Sequence, residues 1–313
     1  MGVSPQLQVL LDQISAVKKV LLAAGFKRTQ TNIREAFANV QRIYMTDIDY
    51  TIFAVDDIVY NDKYPVAIRI YNPNPAIFLP VIAFIHGGGH TGGSVSQYDG
   101  VARKLAKLTN HIVISIDYRL SPEFAYPTGL NDCKTVLKRM FQVLDERNIK
   151  YADKNIKLVG DSAGGGLCAS MSMDKAFSNA TKITHQVLIY PSLDYSMSSD
   201  SFNRYITGYY LETATIDWYY NNYCQNNEDR KAISPLFIDP YPEMPKTLII
   251  TPHFDPLHDE AILYYEKIIN SGGQAELLEF DNMIHAYLSL EDLCKEESLK
   301  TYQKINSFLV TTA

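Results

Sequence analysis

A serine flanked by glycines, in Gly160-Asp161-Ser162-Ala163-Gly164, is the strongest candidate nucleophile in this sequence of 313 residues. The motif follows a short apolar run, 156–159, and precedes a stretch of helical composition. This context predicts a tight strand-to-helix turn that holds the serine hydroxyl outward, with glycines making room for a strained backbone. The N-terminal N–H groups of the helix would also point at the reaction centre. Ser162 is therefore predicted to attack an acyl carbonyl.

A serine hydroxyl becomes a good nucleophile only when a base takes its proton. In enzymes whose serine lies on such a turn, an acid and then a histidine follow it along the chain. Four of the seven histidines follow Ser162: His185, His253, His258 and His285. His285 comes shortly after a predicted strand, 275–280, which is where the base belongs, whereas His185 opens a strand. His253 and His258 share a loop with the best acid candidate, so His285 is the predicted base.

Asp255 is the predicted acid, because it comes shortly after the apolar run 248–250. A carboxylate there can hold the imidazole in the required tautomer and stabilise the imidazolium. Asp259 and Glu260 are its rivals, but they open the next predicted helix, where acidic residues are common because they favour the helix dipole.

The glycine-rich segment His86-Gly87-Gly88-Gly89 follows another apolar run, 81–85. Acyl transfer places negative charge on the carbonyl oxygen, and prearranged backbone N–H donors must stabilise it. Glycines let the backbone approach closely and adopt unusual dihedral angles. A phosphate-binding loop is the alternative, but the segment lacks the G-x-G-x-x-G pattern and the Walker lysine.

Short apolar runs recur along the chain with helical stretches between several of them, which predicts an α/β fold with a mostly parallel sheet buried on both faces. Two partly alternating segments, 47–54 and 66–71, predict an antiparallel start. Helices are predicted at 5–25, 32–42, 98–108, 131–148 and 164–177, and strands at 81–85, 112–116, 156–159, 187–189, 248–250 and 275–280.

One region interrupts this alternation. Residues 205–224, YITGYYLETATIDWYYNNYC, predict a tyrosine-rich helical segment inserted into the α/β core. We interpret it as part of a lid that packs with the N-terminal helices over the site. The alternative is a structural helix that only covers the core.

Charge and composition exclude several classes of protein. The net charge of -6 and the scattered basic residues argue against nucleic-acid binding. Cys133, Cys168, Cys224 and Cys294 lie far apart with no Cys/His cluster, so neither a metal site nor a cofactor is predicted. The N-terminus does not resemble a secretory signal and no apolar run is long enough for a membrane span, so a cytoplasmic protein without a membrane span is expected.

The motifs together resemble the hormone-sensitive-lipase-like carboxylesterases, the bacterial family with an HGGG motif. The resemblance covers most of the chain after about residue 80 and rests on HGGG (86–89), DYRLSPEFAYP (117–127), GDSAGG (160–165), SPL (234–236), DPLHDE (255–260) and MIHAY (283–287). It implies an α/β-hydrolase fold, a central mostly parallel sheet flanked by helices with a helical cap. It also implies a catalytic core over 46–313 and a cap built from 1–45 and about 195–230.

The resemblance further implies that Ser162, Asp255 and His285 form a catalytic triad. It implies an oxyanion hole from the backbone of Gly87, Gly88 and Ala163. The sequence departs from the family in three places: His258 replaces the usual arginine, Ala286 replaces glycine after the base, and His90-Thr91-Gly92-Gly93 replaces the usual aromatic residue. The last change is expected to widen or re-polarise the substrate pocket.

The predicted function is hydrolysis of carboxylic esters, with small short-chain acyl esters as substrates. Amide hydrolysis and small-molecule deacetylation stay open. A second hypothesis is a non-catalytic receptor for a small molecule, since relatives such as the plant gibberellin receptor bind a ligand under the cap without hydrolysing it. A homodimer is the default expectation for the assembly.

Overall fold

The computed structural model describes residues 2–61 and 63–310, which form one eight-stranded sheet flanked by helices. The strand order is β1-β2-β4-β3-β5-β6-β7-β8; β1 pairs with β2 and β2 with β4 antiparallel, and the other neighbours are parallel. The strands are β1 (Phe53–Asn61), β2 (Tyr64–Asn72), β3 (Leu79–Ile85), β4 (Ile112–Asp117), β5 (Tyr151–Asp161), β6 (Ile183–Ile189), β7 (Lys246–Phe254) and β8 (Ala275–Ile284).

Helices cover both faces of the sheet and its carboxyl edge. The α-helices are α1 (Pro5–Ala23), α2 (Gln30–Tyr44), α3 (Asp99–Thr109), α4 (Thr128–Glu146), α5 (Ala163–Met173), α6 (Lys175–Thr181), α7 (Ser201–Arg204), α8 (Thr213–Tyr223), α9 (His258–Asn270) and α10 (Lys295–Val310). Two short 3₁₀ segments, Pro235–Phe237 and Tyr287–Leu293, complete the regular structure of the described residues. No helix among the described residues is long and apolar enough to cross a membrane.

The apolar runs become strands because both of their faces are buried. In β3, Val81 and Ala83 pack in the hydrophobic core on one side of the sheet, and Ile82 and Phe84 pack in the core on the other side. Successive side chains of a strand point to opposite faces, so a strand covered on both sides needs continuous apolar sequence. The parallel strands then present their carboxyl ends, and the loops that follow, at one edge of the sheet.

The predicted strand over 47–54 was wrong, because β1 begins only at Phe53. The carboxylate of Asp49 accepts hydrogen bonds from the backbone N–H (3.0 Å) and the hydroxyl (2.5 Å) of Thr51, which makes a local turn. β1 is an edge strand with mostly exposed or half-buried residues, so its alternation is weak. The following strand, predicted at 66–71, is confirmed as β2.

Two predicted helices are shorter or divided in the structure. The stretch 164–177 is divided between α5 and α6, because Asp174 caps α6 by accepting a hydrogen bond from the N–H of Phe177 (3.1 Å). Within 205–224 only α8 is helical. Gly208 has a φ of +90°, which a right-handed helix excludes, so the residues before α8 form turns.

The N-terminal helices lie over the carboxyl edge of the sheet, where they meet α8. The guanidinium of Arg28 donates to Thr215 Oγ1 (2.9 Å), and Lys18 forms an ion pair with Glu212. The N–H of Ser4 donates to the carbonyl of Asn282 (3.0 Å), which joins the beginning of α1 to the end of β8. The boundaries of the predicted cap, 1–45 and about 195–230, stay a prediction.

Candidate active site

Ser162 lies on the turn between β5 and α5 with φ 51° and ψ -120°, a strained conformation for a residue with a side chain. Its N–H donates to the carbonyl of Ile189 (2.8 Å), which fixes the turn against β6. A Cβ at Gly164 would lie 2.0 Å from the carbonyl oxygen of Ile85, and one at Gly160 would lie 2.6 Å from the backbone of Gly164. The motif therefore needs both glycines for packing, and the turn holds the hydroxyl outward at the carboxyl edge of the sheet.

The loops after β7 and β8 bring two further predicted residues to this hydroxyl. His285 Nε2 lies 2.9 Å from Ser162 Oγ, and His285 Nδ1 lies 2.6 Å from Asp255 Oδ2. Asp255 is fully buried, and its Oδ1 also accepts the N–H of Leu257 (2.8 Å). Because a carboxylate only accepts hydrogen bonds, the proton of the neutral imidazole lies on Nδ1, and Nε2 is free to accept the serine proton.

The rival residues are engaged elsewhere. His253 and His258 both contact Glu279, at 3.0 and 2.9 Å, and Asp259 forms an ion pair with Arg204. Glu260 is completely buried and accepts the N–H of Leu193 (2.6 Å); burial raises the pKa of its carboxyl well above the usual value. Glu260 thus holds the loop after β6 and does not contact His285.

The glycine-rich loop after β3 lies beside the serine, but its first glycine does not have the arrangement predicted from the sequence. The N–H of Gly87 donates to Asp161 Oδ1 (2.8 Å), so this donor is already used. The N–H groups of Gly88 and Gly89 have no hydrogen-bond partner among the described residues. Gly88 and Gly89 line the cavity in front of Ser162 together with Ala163. The geometry therefore favours Gly89 over Gly87 as an oxyanion donor.

Asp161 was not among the candidates from the sequence, although it lies inside the serine motif. Its Oδ2 accepts the hydroxyl proton of Tyr98 (3.0 Å), while Oδ1 accepts from Gly87. Burial raises the pKa of Asp161 to about 6, an effect opposed by these two hydrogen bonds. Its carboxylate joins the nucleophile turn to the glycine-rich loop. The only sign of this role in the sequence was that a polar residue, Asp161, directly precedes Ser162.

The two histidines of the glycine-rich loop are structural. His86 Nδ1 donates to the carbonyl of Gly87 (2.8 Å), its ring stacks on Tyr118 with centroids 4.5 Å apart, and burial lowers its pKa. His90 stacks on Tyr223 with centroids 3.7 Å apart, and burial lowers its pKa to about 3. None of residues 90–93 lines the cavity, so they do not re-polarise it by direct contact as expected, and the expected widening stays a prediction.

A cavity of about 400 Å³ opens in front of Ser162. Its wall is largely apolar and comes mostly from α1, α2, α8 and the turns before α8; its side chains include Ile14, Ile33, Phe37, Val40, Tyr210, Leu211, Ile216 and Tyr219. The ring of Tyr219 packs on the glycine-rich loop, since a Cβ at Gly89 would lie 2.4 Å from the Tyr219 Cγ. Helices that the sequence placed in a lid thus form the wall facing Ser162.

Several known proteins with similar sequences or structures are esterases. A family model described as the alpha/beta hydrolase fold matches residues 82–289. An arylesterase of Saccharolobus solfataricus is 32% identical over 231 residues, 72% of this chain and 74% of that protein. Carboxylesterase NlhH of Mycobacterium tuberculosis is 30% identical over 248 residues, 74% of this chain and 73% of that protein. The structure of an esterase from Pyrobaculum calidifontis superposes with a TM-score of 0.88 at 28% identity, covering 99% of this chain and 100% of that one.

Proposed function

The chain belongs to the hormone-sensitive-lipase-like family of α/β-hydrolases and is a carboxylic ester hydrolase; from this premise we propose that Ser162, His285 and Asp255 hydrolyse small esters with short acyl chains. The observation that carries the proposal is the continuous hydrogen-bonded line from Ser162 Oγ through His285 to Asp255, with distances of 2.9 and 2.6 Å. This line opens into a cavity wide enough for a small molecule.

In the first step, His285 Nε2 takes the proton of Ser162 as the serine oxygen bonds to the ester carbonyl carbon. Asp255 stabilises the imidazolium and keeps the ring oriented. When the tetrahedral intermediate collapses, the bond to the alcohol oxygen breaks, and the alcohol leaves with the proton from His285. The acyl group stays on Ser162 as an ester.

In the second step, water gives a proton to His285 and attacks the acyl-enzyme. The carboxylic acid then leaves as Ser162 recovers its proton from the imidazolium. In both steps the negative carbonyl oxygen is stabilised by backbone N–H donors, for which we propose Gly88, Gly89 and Ala163. Ala163 is the first residue of α5, so its N–H lies at a helix N-terminus and has no partner within the helix.

The cavity supports the preference for small substrates. Its volume of about 400 Å³ is near the lower end of the range for ligand pockets. Aromatic and branched side chains from α2 and α8 line it, and we propose that they leave room for a short acyl chain and a modest alcohol. No observation favours the receptor hypothesis, because each triad position holds a group in contact with the next.

Hydrolysis of nitrophenyl esters of graded acyl length tests this proposal. Wild-type activity is expected to be highest for acyl groups of two to about six carbons and to fall with longer chains, because the cavity is small. Ser162→Ala should lower kcat by about 10⁴–10⁶-fold, since the triad acts as a unit. Nitroanilides of the same acids measure any amidase activity.

Ser192→Ala is the matched control, because Ser192 also lines the cavity but bonds to Tyr220 (2.7 Å) and lies outside the triad. It should keep most of the activity. A folded wild-type protein that hydrolyses none of these esters, or a Ser162→Ala variant as active as wild type, would contradict the proposal.

A further inference from the structure

A cluster of two histidines and a glutamate lies at the carboxyl edge of the sheet, outside the substrate cavity. His253 is near the end of β7, His258 is the first residue of α9, and Glu279 lies on β8. One ring nitrogen from each histidine and one carboxylate oxygen lie within 4.8 Å of one another. We propose that these three residues bind a divalent transition-metal ion, with Zn²⁺ as the ion that fits best. This site goes beyond ester hydrolysis and does not depend on it.

The donor atoms converge on one point. Glu279 Oε1 lies 3.0 Å from His253 Nδ1 and 2.9 Å from His258 Nε2. In a tetrahedral zinc site, bonds of about 2.0–2.1 Å put neighbouring donor atoms roughly 3.3 Å apart. A movement of a few tenths of an ångström would therefore bring the Glu279 oxygen to this separation from each histidine nitrogen, and the two nitrogens lie within 4.8 Å of each other.

Asp259 orients one of the imidazoles for this role. His258 Nδ1 lies 2.9 Å from Asp259 Oδ1, so in the tautomer with the proton on Nδ1, Asp259 accepts that proton and the Nε2 lone pair faces Glu279. A lone pair 2.9 Å from a carboxylate oxygen is repelled unless a proton or a metal ion lies between them, and a metal ion can replace the proton of this contact. A carboxylate that holds the far nitrogen of a metal-bound histidine is a recurring feature of zinc sites.

The charges around the cluster suit a divalent cation. Glu279 and Asp259 carry two negative charges, and Arg204, paired with Asp259, carries one positive charge. With neutral imidazoles, the local sum is 1 - 2 = -1. Imidazole nitrogens favour zinc, copper and nickel over magnesium and calcium, which prefer oxygen ligands.

The cluster is accessible but held by the fold. The His253 side chain is 44% exposed and that of Glu279 is 32% exposed, whereas that of His258 is only 14% exposed. An ion can therefore enter from solvent, and water can complete the coordination shell, as in zinc sites with three protein ligands.

A bound ion would join the segments that carry the acid and the base. Asp255 lies between His253 and His258 along the chain, and the His258 N–H donates to the Asp255 carbonyl (3.0 Å). β8, which carries Glu279, ends immediately before His285. The site would therefore act as a clamp on β7, α9 and β8. Sequence reasoning predicted no metal site, because Glu279 is 21 residues from His258 along the chain (279 - 258).

Metal titration of the full chain after removal of metals by a chelator tests the proposal. Zn²⁺ in competition with a chromophoric chelator, at about pH 7.5 where imidazole is mostly neutral, should bind with a stoichiometry of one and micromolar affinity. Co²⁺ should give visible absorption bands of a site with nitrogen ligands. His253→Gln, His258→Arg and Glu279→Gln should each weaken Zn²⁺ binding by about tenfold or more, because each removes a donor.

His185→Gln is the matched control, because it removes a histidine outside the cluster and should leave the affinity unchanged. Thermal unfolding in chelator shows whether each variant is folded, and added Zn²⁺ should raise the Tm of wild type and of the control but not of the cluster variants. Equal affinity in wild type and all three cluster variants, or no binding at one hundred equivalents of Zn²⁺, would overturn the proposal. Because the readout is binding and Tm, this result is separate from the esterase assay.

Discussion

Two regions meet at Ser162: the turn region, residues 85–89 and 160–165, and the cap wall, formed by α2 and α8. The turn region is held by backbone contacts, such as the close approach of Gly164 to the carbonyl of Ile85. The cap wall is held by side chains, including Phe37 of α2 and Tyr219 of α8. The turn region has almost no room for an added atom, whereas the cap wall consists of packed aromatic rings and branched side chains.

This difference separates chemistry from substrate choice. The groups that make and break bonds must keep their positions within a fraction of an ångström, and backbone contacts provide this rigidity. The wall only has to exclude water and fit a substrate, and apolar side chains of similar volume do this equally well. We therefore expect substitutions in the turn region to remove activity and substitutions in the cap wall to change substrate preference.

The largest effect is expected for Gly164→Ala. Its methyl group would lie 2.0 Å from the carbonyl oxygen of Ile85, so the turn or the glycine-rich loop must move. We expect a loss of at least ~3 kcal/mol in the free energy of unfolding and no measurable esterase activity. Denaturant unfolding and the nitrophenyl ester assay measure the two effects.

Gly25→Ala, in the connection between α1 and α2, is the control for Gly164→Ala. Gly25 has a φ of +75°, and a methyl group added there would have nothing within 4 Å, so only backbone strain is added. The expected loss is about 1 kcal/mol with unchanged kcat. Equal losses of stability and activity in both variants would show that the close contact at Gly164 is not what makes the turn region sensitive to an added methyl group.

A smaller effect on activity is expected from substitution of Asp161, whose carboxylate links the two segments of the turn region by accepting the N–H of Gly87. Asp161→Ala should lower kcat by about 10–100-fold, because the loop carrying the proposed oxyanion donors loses its anchor at Gly87. Asp161→Asn keeps an oxygen acceptor for the Gly87 N–H and should keep most of the activity. Similar kcat values for wild type and Asp161→Ala would show that the glycine-rich loop holds its position without the carboxylate.

The same residue gives the protein a pH-dependent stability. Burial raises the pKa of Asp161 from 3.8 to about 6, so the folded state binds this proton more tightly than the unfolded chain. Stability from this group is therefore greatest below about pH 4, falls as the pH rises to about 6, and is constant above. Wild type should lose on the order of 3 kcal/mol relative to Asp161→Asn over this interval, as measured by denaturant unfolding at each pH.

The smallest effect is expected from the cap wall. Tyr219→Ala removes the ring that packs on Gly89 and enlarges the cavity, so the optimum acyl length should move to longer chains by a change of about tenfold in relative kcat/KM. Tyr219→Phe keeps the ring and should keep the wild-type profile. An unchanged profile in Tyr219→Ala would mean that the acyl group lies elsewhere in the cavity.

The contrast between backbone contacts and side-chain packing also explains which parts of the fold were predicted correctly from the sequence. The serine turn and the parallel core strands depend on local requirements, glycine at close contacts and apolar residues on both faces, and these are visible as motifs and runs. The first strand was displaced, because an edge strand buries little and its pattern is weak. Residues 205–212 were wrongly predicted to be helical. The prediction followed their tyrosine-rich composition and overlooked Gly208, whose positive φ a right-handed helix excludes.

Details that depend on contacts distant in sequence were missed. The motif showed three adjacent glycines, but it did not show that the N–H of Gly87 is taken by Asp161, 74 residues away. His253, His258 and Glu279 likewise meet only when β7 and β8 pair. Such contacts follow from strand order and register, which a single sequence without relatives does not reveal.

The hydrogen bond from Ser4 to Asn282 has a consequence for the order of events during synthesis. The helix that covers the site is made before its backbone partner, which follows 278 residues later (282 - 4), roughly 15–60 s at about 5–20 residues per second. His285 follows three residues after that partner. Until residues 282–285 have been made, the nascent chain therefore carries Ser162 without its proposed base and without the hydrogen bond that joins α1 to β8.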